Sequence, residues 1–312
     1  MFLLVRGHNI SFKLQNKFYL RKVSNKLKHI AIKSISRVST EMAGKLFFPL
    51  EHCLIHGNDL SISSSKETSV LFFTSQKCAS TLMPKIFKYF EEHCLQLNPV
   101  DFATYLNLTT STSPYVTLPE SPHILFYPKG MLYGPLRKYI PISGLKSFRI
   151  ILMLRDPRDV LVSSYFSQAY SHSPPMNRSK LDHFIQRRER TRSLSIDEFA
   201  LKMAEEWAHR YRAYANNLLG QSNVTFLKYE DMILSTEKWL STLAGALDID
   251  LTKSDIANIY KIGQFNKAKT NNINDHIRHA LPGEHKNRLS IETQNKLNVH
   301  FADVLEAFGY KD

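Results

Sequence analysis

Cysteine is scarce in this chain, long apolar runs are absent, and the stretch that reads most clearly as an anion-binding loop contains no glycine. Each absence removes a class of protein. The three cysteines, Cys53, Cys78 and Cys94, show no metal-like spacing, which argues against a disulfide framework or a zinc site and fits free thiols in a reducing compartment. No apolar run approaches the ~18 to 20 residues that span a bilayer. The apolar start of the chain is followed by basic residues with no small-residue cleavage site, so a signal peptide is not expected. Four sequons begin at Asn9, Asn107, Asn177 and Asn223, but such triplets arise by chance and do not argue for secretion. With no internal repeats, 312 residues at 43% hydrophobic content are expected to bury one large core. The expected location is cytoplasmic.

Acid is nearly missing from the first 46 residues, which hold ten Lys/Arg against the single acid Glu41 and so carry nine of the thirteen net positive charges. The remaining 266 residues hold 31 basic and 27 acidic side chains. A body so mildly basic does not suggest a nucleic-acid binder. The expected division is therefore a basic arm over residues 1–46 and a single domain over 47–312. Residues 11–40 mix Lys/Arg with Phe, Leu, Ile and Val, a composition open to two readings: a basic amphipathic helix on an anionic membrane surface, or a solvated helix packed on the body.

What the chain does have is organised around Thr68 to Phe90. Val70 to Phe73 is an unbroken apolar run of the kind that forms a strand buried on both faces, and Leu82, Ile86, Phe87 and Phe90 then recur at helical spacing. A strand therefore turns directly into a helix. The connection, Thr74 to Thr81, brings Lys77, hydroxyls, backbone N–H groups and the positive end of the helix toward one point, which is anion-binding chemistry. It is not a Walker loop, whose GxxxxGK[ST] pattern requires glycines.

Further strands are expected at Asp101 to Leu108, His123 to Tyr127, Phe148 to Leu154 and Val224 to Leu227, with a loop over Thr109 to Pro122. Ser195 and Glu198 form a capping box that opens a long helix with a core stripe of Phe199, Met203, Trp207 and Tyr211, and Trp239, Leu240, Leu243 and Leu247 form another helix face. Strands alternating with helices imply an α/β protein with a parallel sheet. Ser171 to Arg192, polar and arginine-dense, reads as a mobile loop whose charges are either solvated or attract an anionic acceptor. Arg155 stands at the carboxyl end of the Phe148 strand, where open parallel sheets collect their ligands, and its planar cation suits a phosphate.

Three segments resemble the signatures of the sulfotransferases that use 3′-phosphoadenosine 5′-phosphosulfate (PAPS). KCASTL, residues 77–82, is similar to the family's KSGTTW, with Lys77, Ser80 and Thr81 in register and Cys78, Ala79 and Leu82 departing from it. RDPRDVLVSSYFS, from Arg155, resembles the R-[ND]-P-[KR]-D-V-x-V-S element. HIRHALPGEHKNRLS resembles the RKGxxGDWKN loop, matched at Arg278, Gly283, Lys286 and Asn287, with His279 and Ala280 in place of Lys-Gly. The resemblance implies a parallel β-sheet flanked by helices in a P-loop NTPase-like sulfotransferase fold, and an enzyme that moves a sulfuryl group from PAPS to a hydroxyl or amine without a metal. It implies that Lys77 and residues 78–82 hold the phosphosulfate end, with Lys77 catalytic. Arg155, Ser163 and Arg278 would hold the 3′-phosphate, assisted by backbone donors at His279 and Ala280, and Tyr229 and Phe265 would hold the adenine. It implies an acceptor that is a hydroxylated small molecule, glycan or lipid.

The family's KxHxP-like element places a histidine 22 residues before the phosphate arginine, a count that lands here on Tyr133. No general base is assigned; Asp101, Glu91, Glu92, His123 and Tyr133 stay open. Without that histidine the alternative is a non-catalytic nucleotide- or membrane-surface-binding module on the same fold. Cys78, beside Lys77 and a helix N-terminus, is expected to carry a lowered pKa and to be redox-sensitive.

Overall fold

In the computed structural model, which describes residue 31 and residues 40–56, 66–109, 126–174, 181–263 and 281–310, five parallel strands form one sheet in the order β2-β3-β1-β4-β5. They are β1 (Val70–Thr74), β2 (Asn98–Val100), β3 (Met131–Leu136), β4 (Arg149–Leu154) and β5 (Val224–Lys228). The central strand β1 is buried along its whole length. Its alternate side chains divide between two cores, Leu71 and Phe73 facing one and Val70 and Phe72 the other. Ile150, Leu152 and Leu154 of β4 join the first, and Ile151 and Met153 the second. This two-sided burial is why β1 and β4 read as continuous apolar runs rather than alternating ones.

Eleven-residue α3 (Met83–His93) follows β1 and packs Met83, Ile86, Phe87 and Phe90 into the second core. The first two described helices, α1 (Thr40–Phe47) and α2 (Pro49–His56), meet α4 (Phe102–Thr109) on the β2 side, where the rings of Phe48 and Tyr105 lie edge to face. On the far side, α5 (Pro157–Phe166) leaves β4 and runs into a π-helical turn, Ser167–Ser171. It is followed by α6 (Leu181–Arg192) and the 22-residue α7 (Ile196–Asn217). The expected capping box opens α7, with Ser195 Oγ accepting from Glu198 N–H and the Glu198 carboxylate accepting from Ser195 N–H. Then come α8 (Tyr229–Leu234), α9 (Thr236–Leu247) and α10 (Lys253–Gly263). The chain closes with α11 (Glu284–Arg288), α12 (Ile291–His300) and α13 (Ala302–Phe308).

Three expectations are corrected. Asp101 to Leu108 is a helix, because the Asp101 carboxylate accepts from the backbone and hydroxyl of Thr104 and caps it while Phe102 and Tyr105 turn inward. The strand lies just before it, at Asn98–Val100. The segment MLYGPL, assigned no element from sequence, is β3. Its Gly134 is required by close approach, since a Cβ there would sit 2.9 Å from Phe72 O at a φ of +148°. Residues 181–192 form a helix instead of a loop. Phe184 and Thr191 are buried, and Arg188 and Arg192 donate to the carbonyls of Gln168 (3.3 Å) and Ala169 (2.7 Å), closing the end of the π turn. Phe126 and Tyr127 form no strand; residues 110–125 lie outside the described part. Among the described residues no helix is long and apolar enough to cross a membrane.

Candidate functional site

Because all five strands are parallel, the residues that follow them emerge at one edge of the sheet, and there β1 delivers Ser75 to Leu82. Lys77 and Ala79 adopt positive φ (68° and 57°), whereas the residues between and beside them do not. Alternating handedness turns successive backbone N–H groups toward the same side, the arrangement known as an anion nest. A loop without glycine thus reaches by strain a shape that glycine adopts freely, at a cost of roughly 1 to 2 kcal/mol for each left-handed residue. The N-terminus of α3 adds its partial positive charge; no side chain caps it and its first turn holds no acid. Ser80 is buried, Ala79 and Leu82 are half-buried and Thr81 is exposed.

One strand over, Arg155 leaves β4 only 3% exposed. Its guanidinium lies 4.6 Å over the Tyr229 ring. Nη2 makes two long contacts, 3.4 Å to Asp159 Oδ2 and 3.3 Å to Leu281 O, and Nε is buried without a partner among the described residues. Burial alone would weaken this cation; Tyr229, Asp159 and Glu230 outweigh it and hold the pKa above its ordinary value. A permanently charged arginine with spare donor capacity at a ligand-collecting edge is suited to a phosphate. Ser163 stands half-buried on α5. Tyr229 opens α8, buried, its phenol pushed up to about 12 by burial.

Asp159 organises this corner. Wholly buried, it accepts from Gly283 N–H (2.8 Å), His285 N–H (2.9 Å) and His285 Nδ1 (2.7 Å) as well as from Arg155, and so ties the third signature to the helix of the second. Gly283, at φ +83°, turns the chain into α11. Burial would raise the Asp159 pKa, but the His285 and Arg155 bonds prevail and hold it at about 2. Because this lies below the unfolded value, the contribution is complete above about pH 4, is lost as the pH falls toward 2, and amounts to about 2 kcal/mol. Asp159→Asn should therefore lower the denaturant midpoint at pH 6, and its deficit relative to wild type should shrink at pH 3; a deficit independent of pH would refute the role of the charge.

Cys78 departs from the sequence expectation. Its side chain is fully buried beneath the loop, 3.6 Å from Gln76 O and 3.9 Å from Tyr211 Oη, and burial pushes the thiol up to about 12 despite Tyr211 and Arg155. Desolvation of the thiolate outweighs the nearby cation and helix end. Cys78 is thus a core residue whose backbone alone serves the loop, and in the native protein iodoacetamide should modify half-buried Cys53 and Cys94 well before it. Rapid labelling of Cys78 would contradict this placement.

The base candidates separate by position. Tyr133 points into the core between Phe102 and Phe126, its hydroxyl accepts from Tyr127 N–H, and burial raises its pKa. Both oxygens of Asp101 are engaged in capping α4. Glu91 and Glu92 lie in the last turn of α3, which runs away from the ligand edge. His123 lies outside the described residues, as do Phe265, Arg278, His279 and Ala280. Glu230, its carboxyl pushed up to about 7 by burial, follows β5 in α8 with Oε1 accepting from Asp156 N–H, and β4 lies between β5 and the strand that leads to Lys77.

Sequence reasoning missed Arg210 and Tyr211 of α7, which reach Gln76 Oε1 and Arg155 O respectively. The available signal was a stripe of large aromatic side chains on a helix that already carried core residues. Among the described residues no group of His, Cys, Asp and Glu converges on a metal-sized site.

A parallel α/β sheet with a nest and a buried arginine at one edge is an arrangement suited to an anionic ligand. The sequence profile of the sulfotransferase domain family matches residues 69–309, and the chain belongs to that family. It is a PAPS-dependent sulfotransferase. Among solved structures it is similar in fold to the mouse sulfotransferase SULT7A1 complexed with PAP, with a TM-score of 0.54 and 15% identity over 78% of this chain and 86% of that one. It is similar also to retinol dehydratase in a complex with retinol and PAP, with a TM-score of 0.52 and 16% identity over 80% of this chain and 83% of that one. A further retinol dehydratase structure, in complex with androsterone and inactive cofactor PAP, has a TM-score of 0.50 and 15% identity over 76% and 80% of the two chains. No curated protein matches the sequence.

Proposed function

We propose that the loop from Lys77 to Leu82 binds the phosphosulfate end of PAPS and that Arg155, Ser163 and Arg278 bind its 3′-phosphate. Tyr229 and Phe265 flank the adenine, and backbone groups at His279 and Ala280 complete the phosphate site. The observation that carries this reading is the pairing of a backbone nest with a buried, under-used guanidinium on adjacent parallel strands. Bound PAPS supplies an activated sulfuryl group whose departure leaves charge on a phosphate oxygen. Lys77 and the loop N–H groups stand where that charge grows and stabilise it, the kind of interaction that is stronger in the transition state than before it.

The acceptor we propose is a small hydroxylated molecule. Retinol and androsterone, the small molecules in the retinol dehydratase structures, support that class without extending it to this chain's own substrate. With the 3′-phosphate site at β4 and adenine toward β5, the acceptor approaches from the β3 and β2 side of the sheet. The domain is proposed to run from about residue 47, since Glu51 accepts from Asp101 N–H at 3.0 Å and His52 Nδ1 lies 3.2 Å from Tyr105 Oη. Incubation with PAPS labelled in the sulfuryl group and a panel of small alcohols, phenols and amines tests the proposal. Label in an acceptor supports it; PAP binding with transfer to none of the panel would favour the non-catalytic module.

A further inference from the structure

Three side chains on the inner face of α7 touch the donor-side strand ends. Arg210 and Tyr214, one helical turn apart, both reach the β1 end: Arg210 Nη1 donates to Gln76 Oε1 and the Tyr214 hydroxyl donates to Thr74 O. Tyr211, rotated about 100° from Arg210 around the helix, reaches the neighbouring strand, where its hydroxyl donates to the backbone carbonyl of Arg155 and lies 3.9 Å from Cys78 Sγ. The Arg210 fork is held in place by Glu206 Oε1 at 2.7 Å and by the Trp207 ring 4.6 Å away. Tyr211 is fully buried, its ring edge-on to Phe308. One rigid helix thus grips both the residue before Lys77 and the backbone of Arg155.

We propose that Tyr211, with Arg210 beside it, is a positioning residue of the donor site, fixing the separation between the Lys77 loop and Arg155 so that one nucleotide engages both. The proposal rests on the donor-site reading above. A ligand with two phosphates gains from a fixed separation because binding at one point leaves the second already in place; a ligand with one phosphate gains nothing from it.

The test is the ratio of affinities for 3′,5′-bisphosphoadenosine and adenosine 5′-phosphate, measured by calorimetry on the full chain. Tyr211→Phe removes only the hydroxyl. It is expected to lower the bisphosphate affinity about tenfold, the equivalent of about 1.4 kcal/mol or one hydrogen bond, and to leave the monophosphate affinity within about twofold. Arg210→Lys, which keeps the charge but loses the fixed fork, is the second variant and should move the ratio in the same direction as Tyr211→Phe. An unchanged ratio in both Tyr211→Phe and Arg210→Lys, or an equal loss of both nucleotides, would overturn the proposal. A wild-type protein with no preference for the bisphosphate would overturn the donor-site reading itself, an outcome distinguishable because it needs no variant.

Discussion

Lys77→Ala is expected to lower turnover at least a hundredfold with little change in thermal stability. Removing a single donor aimed at developing charge costs about 2.7 to 4 kcal/mol of barrier, and Lys77 is the residue in the nest that carries a full charge. Its backbone, held at φ 68°, gives a control that most catalytic lysines lack. Lys77→Gly removes the same amine yet relieves the left-handed strain, so it should be as inactive as Lys77→Ala and more stable than it. Steady-state kinetics with labelled PAPS and the acceptor that wild type turns over, beside thermal unfolding of all three proteins, separate the two effects. The donor KM should move less than kcat, because the amine acts mainly as the bridging oxygen gains charge. Near-wild-type turnover in either variant would remove Lys77 from the chemistry.

How much of this was legible depended on how many faces of an element are buried. The strands β1 and β4 lie in the middle of the sheet with both faces covered, so Val70 to Phe73 and Phe148 to Leu154 announce themselves as unbroken apolar runs. Next to them, β2 is three residues long and contains Pro99, and β3 is interrupted by Gly134 and Pro135; neither has a periodicity to detect. In DFATYLNL the apolar residues Phe102 and Tyr105 are one helical turn apart, a spacing that also survives a loose alternation test. The deciding feature was the Asp101 to Thr104 cap. Helix α6 hid behind its own charge: RRERTR reads as solvated, although two of its arginines neutralise the end of a π turn.

At the site, the residues with charge and motif spacing were visible and those acting through geometry were not. Arg155 and Lys77 stood out because their positions after a strand are chemically meaningful. Asp159 was visible only as one letter of the RDPRDV segment, since its three bonds to Gly283 and His285 cross more than a hundred residues of sequence. The Cys78 expectation failed for the same reason. Proximity in sequence to Lys77 and α3 suggested an activated thiol, but the direction of its side chain, into the core under Tyr211, follows from the fold and not from its neighbours in the chain.

Arg155 and Arg278 are expected to act as a pair on the 3′-phosphate although 123 positions separate them in the sequence. Arg278 lies outside the described residues, and the chain beyond it, from Leu281, meets Arg155 once and its neighbour Asp159 once. Leu281 O accepts from Arg155 Nη2, and Gly283 N–H donates to Asp159 in the first turn of α5. A dianion held by two guanidiniums gains charge-assisted hydrogen bonds worth roughly 1.5 to 3 kcal/mol each. Arg155→Ala and Arg278→Ala should each cost 3′,5′-bisphosphoadenosine at least tenfold in affinity while costing adenosine 5′-phosphate much less, which also cancels any general loosening left by the buried Asp159. Since both arginines serve one group, the double variant should lose less than the product of the single losses, with a coupling on the order of 0.5 to 3 kcal/mol. Equal losses for the two nucleotides in both single variants would show that neither arginine reads the 3′-phosphate, and strictly additive losses would assign the two to separate parts of the nucleotide.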